Sequence, residues 1–99
     1  MNKLLAAILV SVGASGAMAQ GADLKVAIDP TYQPFTFKTA DGKPTGFDVD
    51  IAQAICDQLK RKCVFVEQVW DSMIPGLQAR KYDVIISSMS VTDDRKKVV

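Results

Sequence analysis

One segment of the sequence, residues 83–95, combines side chains that bind anions. Its apolar run, residues 84–86, is typical of a parallel strand covered on both faces. A Thr-Asp-Asp sequence then predicts a helix with Arg95 in its first turn, where the helix dipole disfavours a cation. Arg95 therefore predicts a bound carboxylate, and a solvated arginine on a charged turn is the alternative. Three serines lie between the run and the helix: Ser87, Ser88 and Ser90.

Three further candidates follow the predicted strands at 24–29 and 63–67: Asp29, Tyr32 and Trp70. Because parallel strands with right-handed crossovers end at one edge of a sheet, we expect all seven side chains to line one cleft. Each also has a simpler explanation, since aromatic rings often half-cover a core and Asp29 before proline often caps a turn. The serines can likewise satisfy the next helix, so the binding cleft is inferred from the coincidence of all seven.

The residue types argue against catalysis and metal binding. The sequence contains no histidine, which excludes Ser-His and Cys-His pairs, and it has no Ser-x-x-Lys motif or glycine-rich phosphate loop. Two cysteines without a third or a histidine do not complete a metal site. Asp48 and Asp50 are explained more easily as helix-start charges than as an acid–base pair. We therefore expect a binding protein with no cofactor.

The elements that position these residues alternate between strands and helices. The predicted order is a strand at 24–29, a loop at 29–34, a short strand at 35–38 with a turn at 41–44, a helix at 47–60, a strand at 63–67, a helix from about 71 to 81, a strand at 84–86 and the last helix. This order predicts an α/β fold with a mostly parallel sheet and flanking helices. Asp71 is the predicted N-cap of the second helix, with Pro75 in its first turn. The apolar face of the first helix is predicted to consist of Phe47, Ile51, Ile55 and Leu59.

The ends of the sequence predict export and a larger protein. Residues 1–19 have the basic start, short apolar core and small-x-small end of a signal peptide, and no cysteine follows for lipid attachment. Without them the chain holds 11 Lys and Arg against 11 Asp and Glu, which argues against nucleic acid or a membrane surface as partner. The last residues enter a new apolar run without a stop signal, so we expect this sequence to be the front part of a larger protein.

Export also bears on the two cysteines, Cys56 and Cys63. In an oxidising compartment a disulfide between them is favoured, and it would tie the end of the first long helix to the following strand. Two reduced, buried thiols are the alternative.

Four motifs carry a resemblance to a known family: Asp29-Pro-Thr-Tyr-Gln-Pro-Phe, Gly46-Phe-Asp-Val-Asp-Ile-Ala, Ile74-Pro-Gly-Leu and the segment 83–95. In this order and spacing they resemble the periplasmic amino-acid-binding proteins of ABC importers (solute-binding protein family 3), especially the lysine/arginine/ornithine- and histidine-binding branch. The resemblance implies two lobes that close on one amino acid, with residues 20–99 forming the N-terminal part of lobe 1 and the second lobe absent. The cysteine pair also matches the disulfide of that branch.

The resemblance also implies a role for each candidate. Arg95 would hold the ligand α-carboxylate in a bidentate pair, while Ser88 and Ser90 would add hydrogen bonds to the carboxylate and amino groups. The remaining four would meet the ligand side chain, with the aromatic pair sandwiching it and the Asp–Ser pair contacting its distal cationic nitrogen: Tyr32, Trp70, Asp29 and Ser87.

The implied function is capture of a cationic L-amino acid in the periplasm and its delivery, by a monomer, to an inner-membrane ABC permease. A periplasmic dehydratase and a sensory domain on the same scaffold are the alternatives. Thr36 stands where the cationic branch often has an acidic residue, which leaves the preferred amino acid open. Because the second lobe is absent, we expect residues 20–99 to fold poorly alone and to bind weakly.

Overall fold

The computed structural model describes residues 21–99, and the predicted signal peptide, residues 1–19, lies outside them. In chain order the elements are β1 (Leu24–Ile28), β2 (Phe37–Lys38), β3 (Pro44–Thr45), α1 (Phe47–Leu59), β4 (Cys63–Glu67), a 3-10 turn (Trp70–Ser72), α2 (Met73–Gln78), β5 (Val84–Ile85) and α3 (Asp93–Lys96). β1 lies between β4 and β5 and is parallel to both, while β2 and β3 form an antiparallel hairpin. The predicted α/β fold with a parallel sheet is confirmed.

The central strand β1 is buried on both faces. Leu24, Val26 and Ile28 point to the side that α1 covers, where they form a core with Ala52 and Cys56. The strand's remaining buried residue, Ala27, packs on the opposite side with Met73 and Tyr82. β5 is divided in the same way, since Val84 packs in the first core and Ile85 in the second. A helix therefore covers each face, as continuous apolar strands require.

The predicted apolar face of α1 is wrong. Its four large residues are 41–59% exposed, whereas the buried face consists of Asp48, Val49, Ala52 and Cys56. Small side chains at this face allow the helix to pack closely on β1. The large residues, which also repeat every four positions, occupy the adjacent stripe: Phe47, Ile51, Ile55 and Leu59.

The start of the second helix also differs from the prediction. Asp71 is not an N-cap, because it lies inside the 3-10 turn and Ser72 occupies the cap position without a side-chain hydrogen bond. Pro75 lies in the first turn of α2, where its missing N–H needs no partner, as predicted. α2 ends at Gln78 rather than near residue 81, and Arg80 follows with a left-handed backbone (φ 59°).

A disulfide joins Cys56 in α1 to Cys63 at the start of β4, with the Cα atoms 5.7 Å apart. The predicted pairing is therefore present, and the alternative of two free thiols is not. Over residues 21–99, no helix has the length and apolar character needed to cross a membrane.

Candidate ligand-binding site

A cavity of about 410 Å³ opens at the carboxyl ends of the parallel strands. Ligands bind at this edge in open α/β sheets, because the loops that leave the strands meet there. Six residues line the cavity: Asp29, Thr31, Tyr32, Trp70, Ser87 and Ser88. Five of them were singled out from the sequence, and the structure adds Thr31.

Asp29 and Ser87 connect the ends of two neighbouring strands. The backbone N–H of Asp29 donates to Ser87 Oγ at 3.0 Å, and Thr31 Oγ1 donates to Asp29 Oδ1 at 2.7 Å. None of the ion pairs found within residues 21–99 involves Asp29. Its carboxylate therefore gives one wall of the cavity a negative charge that no cationic side chain of the described residues pairs with. The Thr31 contact was missed because a threonine two residues after an aspartate is usually only part of a turn.

Two aromatic side chains lie at the cavity with large exposed fractions, 54% for Tyr32 and 40% for Trp70. The Tyr32 ring packs against Phe35 with centroids 5.1 Å apart, and the backbone of Tyr32 pairs with Thr36 in a tight loop. Neither ring belongs to the buried core, so both offer apolar surface to the cavity. The cavity therefore combines this apolar surface with the Asp29 carboxylate, which has no ion-pair partner within residues 21–99. Their predicted sandwich around a ligand stays a prediction.

Ser88 lines the cavity but its hydroxyl is directed to a buried carboxylate. Ser88 Oγ donates to Asp48, at 2.8 Å from Oδ2 and 3.0 Å from Oδ1, and the Thr36 hydroxyl donates to the same Oδ2 at 3.0 Å. Asp48 is in the first turn of α1, as expected for a helix-start charge, but its contact with Ser88 was not predicted. The available signal was its spacing: Asp48 lies four residues before Ala52 and eight before Cys56, on the small-residue face of the helix.

The other two predicted residues, Ser90 and Arg95, do not line this cavity. They line a neighbouring one of about 440 Å³, where Arg95 Nη1 donates to the Ser90 carbonyl at 2.9 Å and to its hydroxyl at 3.0 Å. The guanidinium carbon of Arg95 is 5.7 Å from the centroid of the Trp70 ring, which is within cation–π range. Trp70 therefore lies between the first cavity and the arginine.

The Arg95 guanidinium has N–H groups that make no hydrogen bond within residues 21–99. Among the described residues only Nη1 of its side chain makes a hydrogen bond, which leaves Nε and Nη2, the pair that can bind a carboxylate bidentately. Residues 21–99 contain no group of three or more His, Cys, Asp or Glu side chains arranged to hold a metal ion. The arrangement is suited to binding a small ligand that has both a cationic and an anionic group.

Comparison with known proteins identifies the scaffold. Residues 24–99 match the family model of the bacterial extracellular solute-binding proteins, family 3. The chain belongs to this family. The chain is also 45% identical to the L-arginine-binding protein of Pseudomonas aeruginosa, over 97% of this chain and 37% of that protein. The resemblance seen in the sequence motifs is confirmed.

Two solved structures show the same fold. An ancestral amino acid-binding protein, described as a precursor of cyclohexadienyl dehydratase, is 45% identical with a TM-score of 0.74, over 81% of this chain and 35% of that one. A point mutant of domain 1 from TmArgBP in its arginine-bound form is 40% identical with a TM-score of 0.74, over 81% of this chain and 61% of that one. This chain spans 37% of the length of the Pseudomonas relative.

Proposed function

We propose that the chain forms part of a periplasmic solute-binding protein that captures a cationic L-amino acid and delivers it to an ABC permease. The main support is the Asp29 carboxylate, which lacks an ion-pair partner within residues 21–99 and lines one cavity with Tyr32 and Trp70. A carboxylate beside aromatic rings favours a ligand that carries a positive charge on an extended stem. Family membership and the L-arginine-binding relative support the same class of ligand.

The proposal assigns the two ends of the ligand to different parts of the site. Asp29 and Ser87 bind the distal cation, and the aromatic rings contact the aliphatic stem. Arg95 binds the α-carboxylate through Nε and Nη2, next to Trp70. Every residue in this assignment contacts the ligand through charge, hydrogen bonding or apolar surface, so the proposed role is binding. In a two-lobe protein the ligand would act by stabilising the closed state, which the permease recognises.

Isothermal titration calorimetry on the full-length gene product tests the ligand class with L-arginine, L-lysine, L-ornithine and L-histidine, and with L-leucine as the neutral comparison. Asp29→Asn should weaken L-arginine binding by about tenfold to a hundredfold, because the ligand cation loses its charge partner. Asp23→Asn is the matched control, since Asp23 is exposed and lies outside the cavity. If Asp29→Asn binds L-arginine as tightly as the control does, Asp29 does not select the cation.

A further inference from the structure

A buried carboxylate in α1 connects two segments that line the cavity, the loop that carries Tyr32 and the strand end that carries Ser87 and Ser88. Asp48 is 5% exposed and belongs to α1, and its backbone N–H donates to the Phe35 carbonyl at 2.8 Å. Its side chain accepts hydrogen bonds from Thr36, which is fully buried, and from Ser88. Asp48 therefore joins the loop that carries Tyr32 to the strand end that carries the serines.

Asp48 has no counter-charge among the ion pairs of residues 21–99. A buried carboxylate without a cation must be stabilised by hydrogen-bond donors, here two hydroxyls and the start of a helix. Hydrogen bonds to an ionised acceptor are about twice as strong as neutral ones. The Ser88 hydroxyl is consequently held firmly in one direction.

Ser88 also has a left-handed backbone, with φ +52°. A residue with a side chain adopts this conformation only where its surroundings compensate for the steric cost. The bonds to Asp48 supply that compensation. A serine hydroxyl has one proton, and when Asp48 accepts it only lone pairs remain for a ligand.

We propose that Asp48 is a positioning residue for ligand binding, which holds Ser88 in its left-handed conformation and accepts the hydrogen bond that its hydroxyl donates. Ser88 then presents an acceptor to the cavity and pairs with an N–H group of the ligand rather than with its carboxylate. This inference rests on the proposed function, because it concerns the affinity of the same cavity for an amino acid. It assigns to Asp48 an effect on binding although Asp48 does not line the cavity.

The test is a double-mutant cycle on the full-length gene product, with L-arginine affinity and thermal unfolding as readouts. Asp48→Asn should weaken binding by about tenfold, the effect of replacing a charge-assisted bond with a neutral one. Asp50→Asn, which removes an exposed charge from the same helical turn, should change affinity by less than about twofold. In a Ser88→Gly background, where the left-handed backbone has no steric cost, Asp48→Asn should have an effect below about threefold.

Additive effects of the two substitutions on both readouts would overturn the inference, and so would an Asp48→Asn variant that melts earlier but binds L-arginine normally. If Asp48→Asn does not fold, Ser88→Ala decides the question, because it keeps the steric cost of the left-handed backbone and removes the hydroxyl that Asp48 holds. It should melt lower than the wild type and lower than Ser88→Gly, and a Ser88→Ala variant that melts like the wild type would contradict the role of Asp48. If the wild-type protein binds none of the cationic amino acids, the proposed function fails. Thermal unfolding then still tests the contact between Asp48 and Ser88: non-additive effects of the two substitutions would support it, and additive effects would overturn it.

Discussion

Gly46 controls how the loop before α1 docks on the helix, and replacing it with alanine tests this packing. Its backbone angles are φ 115° and ψ 179°, and an added Cβ would lie 2.5 Å from the Phe35 carbonyl oxygen and 2.8 Å from that of Pro34. These two oxygens accept hydrogen bonds from the Asp48 and Phe47 N–H groups, at 2.8 and 3.2 Å. A Cβ at Gly46 therefore displaces the acceptors that hold the first turn of the helix.

The expected cost of Gly46→Ala has two parts. A residue with a side chain in this backbone region costs about 1–3 kcal/mol, and the two displaced hydrogen bonds contribute about 0.5–1.5 kcal/mol each. We therefore expect the free energy of unfolding to fall by about 2–6 kcal/mol. The loop that moves also carries Tyr32, so L-arginine affinity should fall as well.

Urea unfolding of the full-length gene product measures this cost, with Gly42→Ala as the matched control. Gly42 also has a positive φ, of +82°, but an added Cβ there meets no atom within 4 Å. Its substitution should cost only the backbone term, about 1–2 kcal/mol. Equal losses for the two variants would refute the argument that close contact with the loop carbonyls makes Gly46 necessary.

Two other perturbations test the packing away from the cavity. Replacing both Cys56 and Cys63 with alanine should lower the free energy of unfolding by about 2–3 kcal/mol, because the disulfide closes a short loop in the unfolded chain. A loss below about 1 kcal/mol in urea unfolding would contradict this expectation. Burial raises the pKa of the Tyr82 phenol above its ordinary value of 10.0, so the folded state favours the neutral form. Its contribution to stability is then complete below pH 10 and is lost as the pH rises through the raised pKa. Tyr82→Phe should lower the free energy of unfolding by about 1 kcal/mol at neutral pH, since the hydroxyl donates to the Met73 carbonyl. When the melting temperature is measured as a function of pH, the variant should lose less stability above pH 10 than the wild type does. A decline as steep as that of the wild type would show that Tyr82 is not its source.

Much of the fold could be predicted because the strands are short, apolar and clearly bounded. β4 matches its predicted bounds, and β1 and β5 are each one residue shorter than predicted. The face of α1 could not be predicted from its large apolar residues, because helix and sheet approach most closely where side chains are small. Ala52 and Cys56 satisfy that requirement, and hydrophobicity alone gives them less weight than Ile51 or Ile55.

The candidate site was predictable to the extent that it depends on strand ends. Asp29, Ser87 and Ser88 follow directly from the parallel order, which brings β1 and β5 together. The position of Arg95 depends on the turn between β5 and α3, and the hydrogen bonds of Asp48 depend on three segments that are distant in sequence. The spacing of Asp48 in α1 indicates that it lies on the buried face, but no local pattern indicates which distant residues it contacts.

The account depends on a cavity that selects a positively charged amino acid, and calorimetric titration of the full-length gene product with L-arginine and L-citrulline tests this most directly. Citrulline keeps the α-carboxylate, the α-ammonium and the stem, but it replaces the guanidinium with a neutral urea group. We predict that L-arginine binds about a hundredfold more tightly, because only its cation pairs with Asp29. Equal affinities for the two ligands would contradict the account.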